Sequence, residues 1–149
     1  MRALALALAL VCAFAVRAAP GEEDDAGIDP EYARARQALE AKDWRAAIGL
    51  LNSAALRDTR NPDIQNYLGY AYRNAGQMPQ AFEHYERALK LNPRHRGAHE
   101  YVGEAWLIAD NLAKAEEHLA ALRAICLIPC EELEDLEKKV REYRARPRK

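Results

Sequence analysis

Three consecutive windows of this chain, residues 28–61, 62–95 and 96–129, align with one another place for place, without a gap. At the eighth place stand Ala35, Gly69 and Gly103; at the twentieth, Ala47, Ala81 and Ala115; at the twenty-fourth, Leu51, Tyr85 and Leu119. Small residues at fixed places let helices approach closely, and bulky ones between them fill the space. From Ile28 onward the pattern is helical, with no β-rich alternating run. Asp29-Pro30 and Asn61-Pro62 each place a capping side chain before a proline at the first helical position. Gly76 and the Lys42-Asp43 pair break helices, Pro79 can open the next one, and Asn92-Pro93 and Pro129 mark later stops. A helix pair this short cannot bury its own apolar face. The period therefore predicts an all-α solenoid in which each pair is covered by the next.

The middle window carries Leu68, Gly69, Tyr72, Ala81, Tyr85, Ala88 and Pro93, and the third carries Val102, Gly103, Trp106, Ala115 and Leu119. In the first, Ala47, Leu51 and Ala54 fall on the same places and Trp44 fits the pattern, while Arg34 and Ala38 depart from it. This set resembles the tetratricopeptide repeat family from position 28 to position 129, which implies three helix–turn–helix units. After Pro129, Leu133, Leu136, Val140 and Tyr143 recur at helical spacing, with acidic residues at the start and basic ones toward the end. That segment, 130–145, reads as a C-terminal capping helix, followed by a basic tail over 146–149.

Ahead of the repeats, Met1-Arg2, the apolar run Ala3 to Val16 and the small residues of Val16 to Pro20 have the layout of a secretory signal peptide. The run is too short and Ala-rich for a good membrane span. Cleavage after Ala18 is expected, leaving an acidic, flexible lead-in over 19–27. The mature chain would carry 20 Lys+Arg against 23 Asp+Glu, because Arg2 and Arg17 leave with the leader. No strongly basic surface is implied, so a nucleic-acid partner is not expected. An exported protein, with the bacterial periplasm as its expected compartment, would keep two cysteines, Cys126 and Cys130. Their even number in an oxidising compartment points first to a disulfide stapling cap to repeat. The other reading is a thiol protein that uses the pair for copper binding or redox exchange. The segment Ile125 to Leu136 also resembles the tail of small exported bacterial tetratricopeptide proteins that end in a paired-cysteine helix.

The resemblance implies a concave surface lined by the first helix of each repeat. The family's ligand-facing places fall on Tyr32, Arg36 and Leu39, then on Asp63, Asn66, Tyr70, Arg73 and Asn74, and then on Glu100, Glu104, Leu107 and Ile108. Aromatic, amide and guanidinium groups on one face suit an extended peptide. Peptide contacts are therefore expected at Tyr32, Arg36, Asn66, Tyr70, Arg73, Asn74, Glu100 and Glu104, with a protein or peptide partner. Some members of the family clamp a C-terminal carboxylate; here only Asn66 fits that pattern, and no such clamp is expected. The sequence holds no nucleophile elbow, phosphate-cradling glycine loop or His-Glu metal helix, so neither enzyme activity nor a cofactor is expected. His95 and His99 read as turn residues, and His84 and His118 as helix-surface residues, rather than as metal ligands.

Overall fold

A computed structural model of the chain describes residues 29–147. The signal peptide expected over 1–18 and the lead-in over 19–27 lie outside the described residues. Seven helices run in order among them: α1 (Pro30–Glu40), α2 (Trp44–Arg57), α3 (Pro62–Asn74), α4 (Met78–Leu91), α5 (Arg96–Ile108), α6 (Leu112–Ile125) and α7 (Glu131–Arg144). The fold is an all-helical repeat solenoid. Helices α2, α4 and α6 each have 14 residues and start at the same place of successive windows, as do α3 and α5, of 13 residues each.

Local chemistry sets the helix starts. Asp29 accepts from the Glu31 and Tyr32 amides at 2.8 and 3.1 Å, and Asn61 accepts from Asp63 and Ile64 at 3.0 and 3.3 Å. Asp43 and Asn111 cap α2 and α6 in the same way. The turns inside the three pairs share one backbone device. Lys42, Gly76 and Asp110, which hold the same place in their windows, all take positive φ, at 57°, 78° and 58°. Only the middle one is a glycine, the residue that adopts this conformation without steric cost.

The core is built from the small and bulky places of the repeat. Ala35, Ala47, Leu51, Ala54, Ile64, Leu68 and Ala71 are buried in one cluster across the first two pairs. Ala81, Tyr85, Val102 and Ala105 form a second, and Leu107, Ala115, Leu119 and Leu122 meet Leu136 and Val140 of α7 in a third. Helix α7 thus covers the third pair, packing on both α5 and α6. It does so closely: a Cβ on Gly103 would stand 2.6 Å from a methyl of Leu136.

Candidate functional site

Helices α1, α3 and α5 are the first members of their pairs, and their exposed sides carry a row of aromatic rings. Tyr32 of α1 and Tyr67 of α3 have ring centroids 6.1 Å apart; Tyr70 of α3 and Tyr101 of α5 are at 4.9 Å. Trp44 meets Tyr70 edge-on at 5.8 Å. Burial, then the nearby Asp63 carboxylate, pushes the Tyr32 phenol up to about 12, so it stays a neutral donor in water. Tyr32, Tyr67, Tyr70 and Tyr101 each retain partial exposure. A partner laid across them would gain apolar area and ring edges from side chains with few rotamers to lose.

Arg73 stands differently from the open contact expected of it. Its side chain is 8% exposed; Nη1 donates to the Tyr101 carbonyl at 3.0 Å and to Glu104 Oε2 at 2.7 Å. The guanidinium lies 5.3 and 5.5 Å from the Tyr70 and Tyr101 ring centroids. This cation and Glu104 direct their charge at each other and so join α3 to α5. Together they hold the two tyrosines in place and present little charge outward. Arg36 is exposed, and so is Asn74, whose amide donates to the Tyr70 carbonyl at 2.8 Å.

Asn66 and Glu100 belong to a second feature of the same face. A cavity of about 350 Å³ opens where α3, α5 and the first turn of α7 meet. Five carboxylates line it: Asp63, Glu100, Glu131, Glu132 and Asp135. His95 Nε2 pairs with Asp63 at 2.8 Å while its Nδ1 accepts from the Ala98 amide and caps α5. Arg96 approaches Glu132 at 3.5 Å. Glu100, Glu131 and Asp135 make no ion pair among the described residues. Burial, then the charges of Glu104, Asp135 and Glu132, pushes the Glu100 carboxyl up to about 8. Tyr67 and Tyr101 also line the cavity, as does Asn66, only 4% exposed, its Oδ1 buried without a hydrogen-bond partner. Gly97 makes room for it: a Cβ there would stand 3.2 Å from Asn66 Nδ2.

Thus the structure gathers the expected residues into two groups, Tyr70–Arg73–Glu104 and Asn66–Glu100, with Tyr32 beside Tyr67 and with Arg36 and Asn74 at the margins. Sequence reading passed over Tyr67, Tyr101, Trp44, His95 and the three α7 carboxylates as parts of this face. The acidic first turn of α7 was visible as a helix-dipole pattern, but nothing local shows that it closes a cavity against α3. The histidines also differ from expectation. His84 is 8% exposed, stacked 5.2 Å from Tyr72 and bonded to Gln65 at 2.9 Å, and His99 and His118 bring their Nδ1 atoms to 3.0 Å.

At the far end of the stack, Cys126 caps the end of α6 and Cys130 the start of α7, and the structure joins their sulfurs, with Cα atoms 6.0 Å apart. Leu127 and Ile128 between them are 92% and 79% exposed. Among the described residues no group of three His, Cys, Asp or Glu side chains is placed to hold a metal ion, and no helix is long and apolar enough to cross a membrane.

Residues 62–95 match the family model of the tetratricopeptide repeat. Over 83 residues, 56% of this chain, the sequence is 28% identical to the Drosophila melanogaster protein O-mannosyl-transferase Tmtc3, of whose length it spans 9%. The structure is similar to the first tetratricopeptide domain of Spaghetti (RPAP3) bound to the HSP90 peptide SRMEEVD, with a TM-score of 0.67 at 16% identity, covering 77% of this chain and 91% of that one. It is also similar to the Yersinia enterocolitica type III secretion chaperone SycD in complex with a peptide of the translocator YopD, with a TM-score of 0.66 at 18% identity, covering 76% and 86%. Residues 62–95 thus match the tetratricopeptide repeat, and the helical stack around them has the fold of tetratricopeptide-repeat domains.

Proposed function

We propose that this chain is a non-enzymatic interaction scaffold that holds an extended segment of a partner protein along the face made by α1, α3 and α5. One observation carries the reading: the half-exposed row Tyr32, Tyr67, Tyr70 and Tyr101, of which the last two are held by the Arg73–Glu104 pair. A rigid aromatic row lowers the entropy lost on binding, and repeat stacks present such rows as continuous surfaces. The two peptide complexes with the same fold support it. The scaffold is an exported one in this reading, with Cys126 and Cys130 oxidised; the N-terminal residue of the secreted protein and a thiol count under denaturation test both.

The test is site-specific photo-crosslinking. A photoreactive residue at Tyr67 or Arg36 should capture one contiguous segment of one protein, mapped by mass spectrometry. The same probe at Leu56, exposed on the opposite helix of the first pair, should not. Capture from Leu56 alone would assign the work to another surface.

A further inference from the structure

The cavity between α3, α5 and α7 is rich in carboxyl groups. Glu100, Glu131 and Asp135 line it without ion pairs among the described residues, and Asn66, 4% exposed, keeps a buried Oδ1 with no donor. A buried acceptor without a partner is unfavourable, and a bound donor would relieve it. Tyr67 and Tyr101 also line the cavity, and tyrosine rings attract organic cations. A divalent metal fits less well, because no three of these side chains converge as ligands.

We propose that this cavity is the binding site for a basic side chain of the partner, an arginine guanidinium or a lysine ammonium. Its N–H groups would donate to Asn66 Oδ1 and to Glu100 and Asp135 while its plane or stem lies between Tyr67 and Tyr101. This rests on the peptide-binding reading above and gives the bound segment a polarity, with a basic residue seated at the α7 end of the face. Burial, then the neighbouring Glu104, Asp135 and Glu132, raises the Glu100 carboxyl, with the Arg73 guanidinium opposing them.

The experiment is a nuclear magnetic resonance titration of the full chain at pH 8.5 with N-acetyl-arginine amide and N-acetyl-lysine amide. The glutamine and glutamate analogues, spermidine and calcium chloride serve as controls at equal ionic strength. The cationic amides should shift the Asn66 side-chain amide and the Gly97 backbone amide saturably, and the neutral and anionic analogues should not. Glu100→Gln and Asp135→Asn, each first shown to keep the wild-type spectrum elsewhere, should each weaken binding about tenfold, or ~1.4 kcal/mol. Equal shifts with the glutamine or glutamate amide, or unchanged affinity in both variants, would overturn the assignment. Saturable binding of calcium alone would make it a metal site, and tighter binding of spermidine than of the arginine amide would make it a polyamine site; either defeats the proposal. Because this titration does not use the crosslinking partner, its failure would leave the aromatic-row reading standing, and failed crosslinking would leave the cavity chemistry measurable.

Discussion

Gly69 of α3 lies against the face of the Tyr85 ring of α4: a Cβ at position 69 would stand 2.5 Å from both Cδ1 and Cε1. No real Cβ tolerates that distance, and Tyr85 is fully buried with no space to retreat. Gly69→Ala should therefore destabilise the chain by about 1–3 kcal/mol, although alanine is the better helix former. Chemical denaturation reads it directly; an unchanged midpoint would mean the second helix pair is less tightly packed than the structure shows.

The same tyrosine carries a hydroxyl that is buried without a hydrogen-bond partner. Tyr85→Phe removes an unsatisfied polar group and keeps the ring, so it should leave stability unchanged or raise it by up to about 1 kcal/mol. A loss larger than that, in the same denaturation assay, would show that the hydroxyl has found a donor or acceptor in solution.

Lys42 and Asp110 hold a left-handed backbone that Gly76 adopts freely at the matching place. Lys42→Gly should stabilise by about 0.5–1 kcal/mol, the left-handed penalty less the added freedom of the unfolded glycine. Asp110→Gly should yield less, since Asp110 also accepts from the Tyr143 hydroxyl and helps seat α7. Melting temperatures of the two variants side by side give the comparison, and an equal gain would dismiss that tyrosine contact.

Arg73→Ala should lower stability by about 3 kcal/mol, because it strands the carboxylate of Glu104 among the tyrosines. Arg73→Ala with Glu104→Ala should cost less than the sum of the two single changes, the mark of direct coupling. Simple additivity in this double-mutant cycle would return Arg73 to the role of a free surface contact.

Two sets of groups give the fold opposite pH dependences. Burial, then the neighbouring His99, pushes the His118 imidazole down to about 4, and burial lowers His84 and His99 as well. The unfolded chain binds those protons first, so stability is lost as pH falls from about 6.5 toward 4. Glu100 has the reverse sign: its folded value near 8 exceeds the ordinary 4.5, so its contribution is lost as pH rises from about 4.5 to 8. Glu100→Gln should remove the alkaline loss and leave the acid one. A Glu100→Gln denaturation midpoint that stays flat from pH 6.5 to 4 would rule out buried neutral histidines.

The stack was legible because its signals are local or periodic. Asp29 and Asn61 cap helices that a neighbouring proline starts, and Ala47, Ala81 and Ala115 mark the close approaches by spacing alone. The site was legible only in part. Tyr70 and Asn66 could be placed on the face by repeat position, yet whether a side chain there is open or buried depends on what stands across from it. Arg73 of α3 meets a carboxylate of α5, and Asn66 shares a cavity with Asp135 of the last helix, two repeats further along the chain. His84 looked like surface because its partner Gln65 sits on another helix, and a polar pair of that kind leaves no periodic trace.

The recurrence of the turn conformation at Lys42, Gly76 and Asp110 makes the molecule a ruler graduated in whole repeats. A copy of residues 62–95 inserted between residues 95 and 96 would offer the third pair the surface it already meets, whereas a copy one residue shorter would rotate every helix after it by about 100°. What such lengthening changes is reach. Each added unit extends the aromatic row by one step and leaves α7 to close the end, so the number of units sets the length of that face.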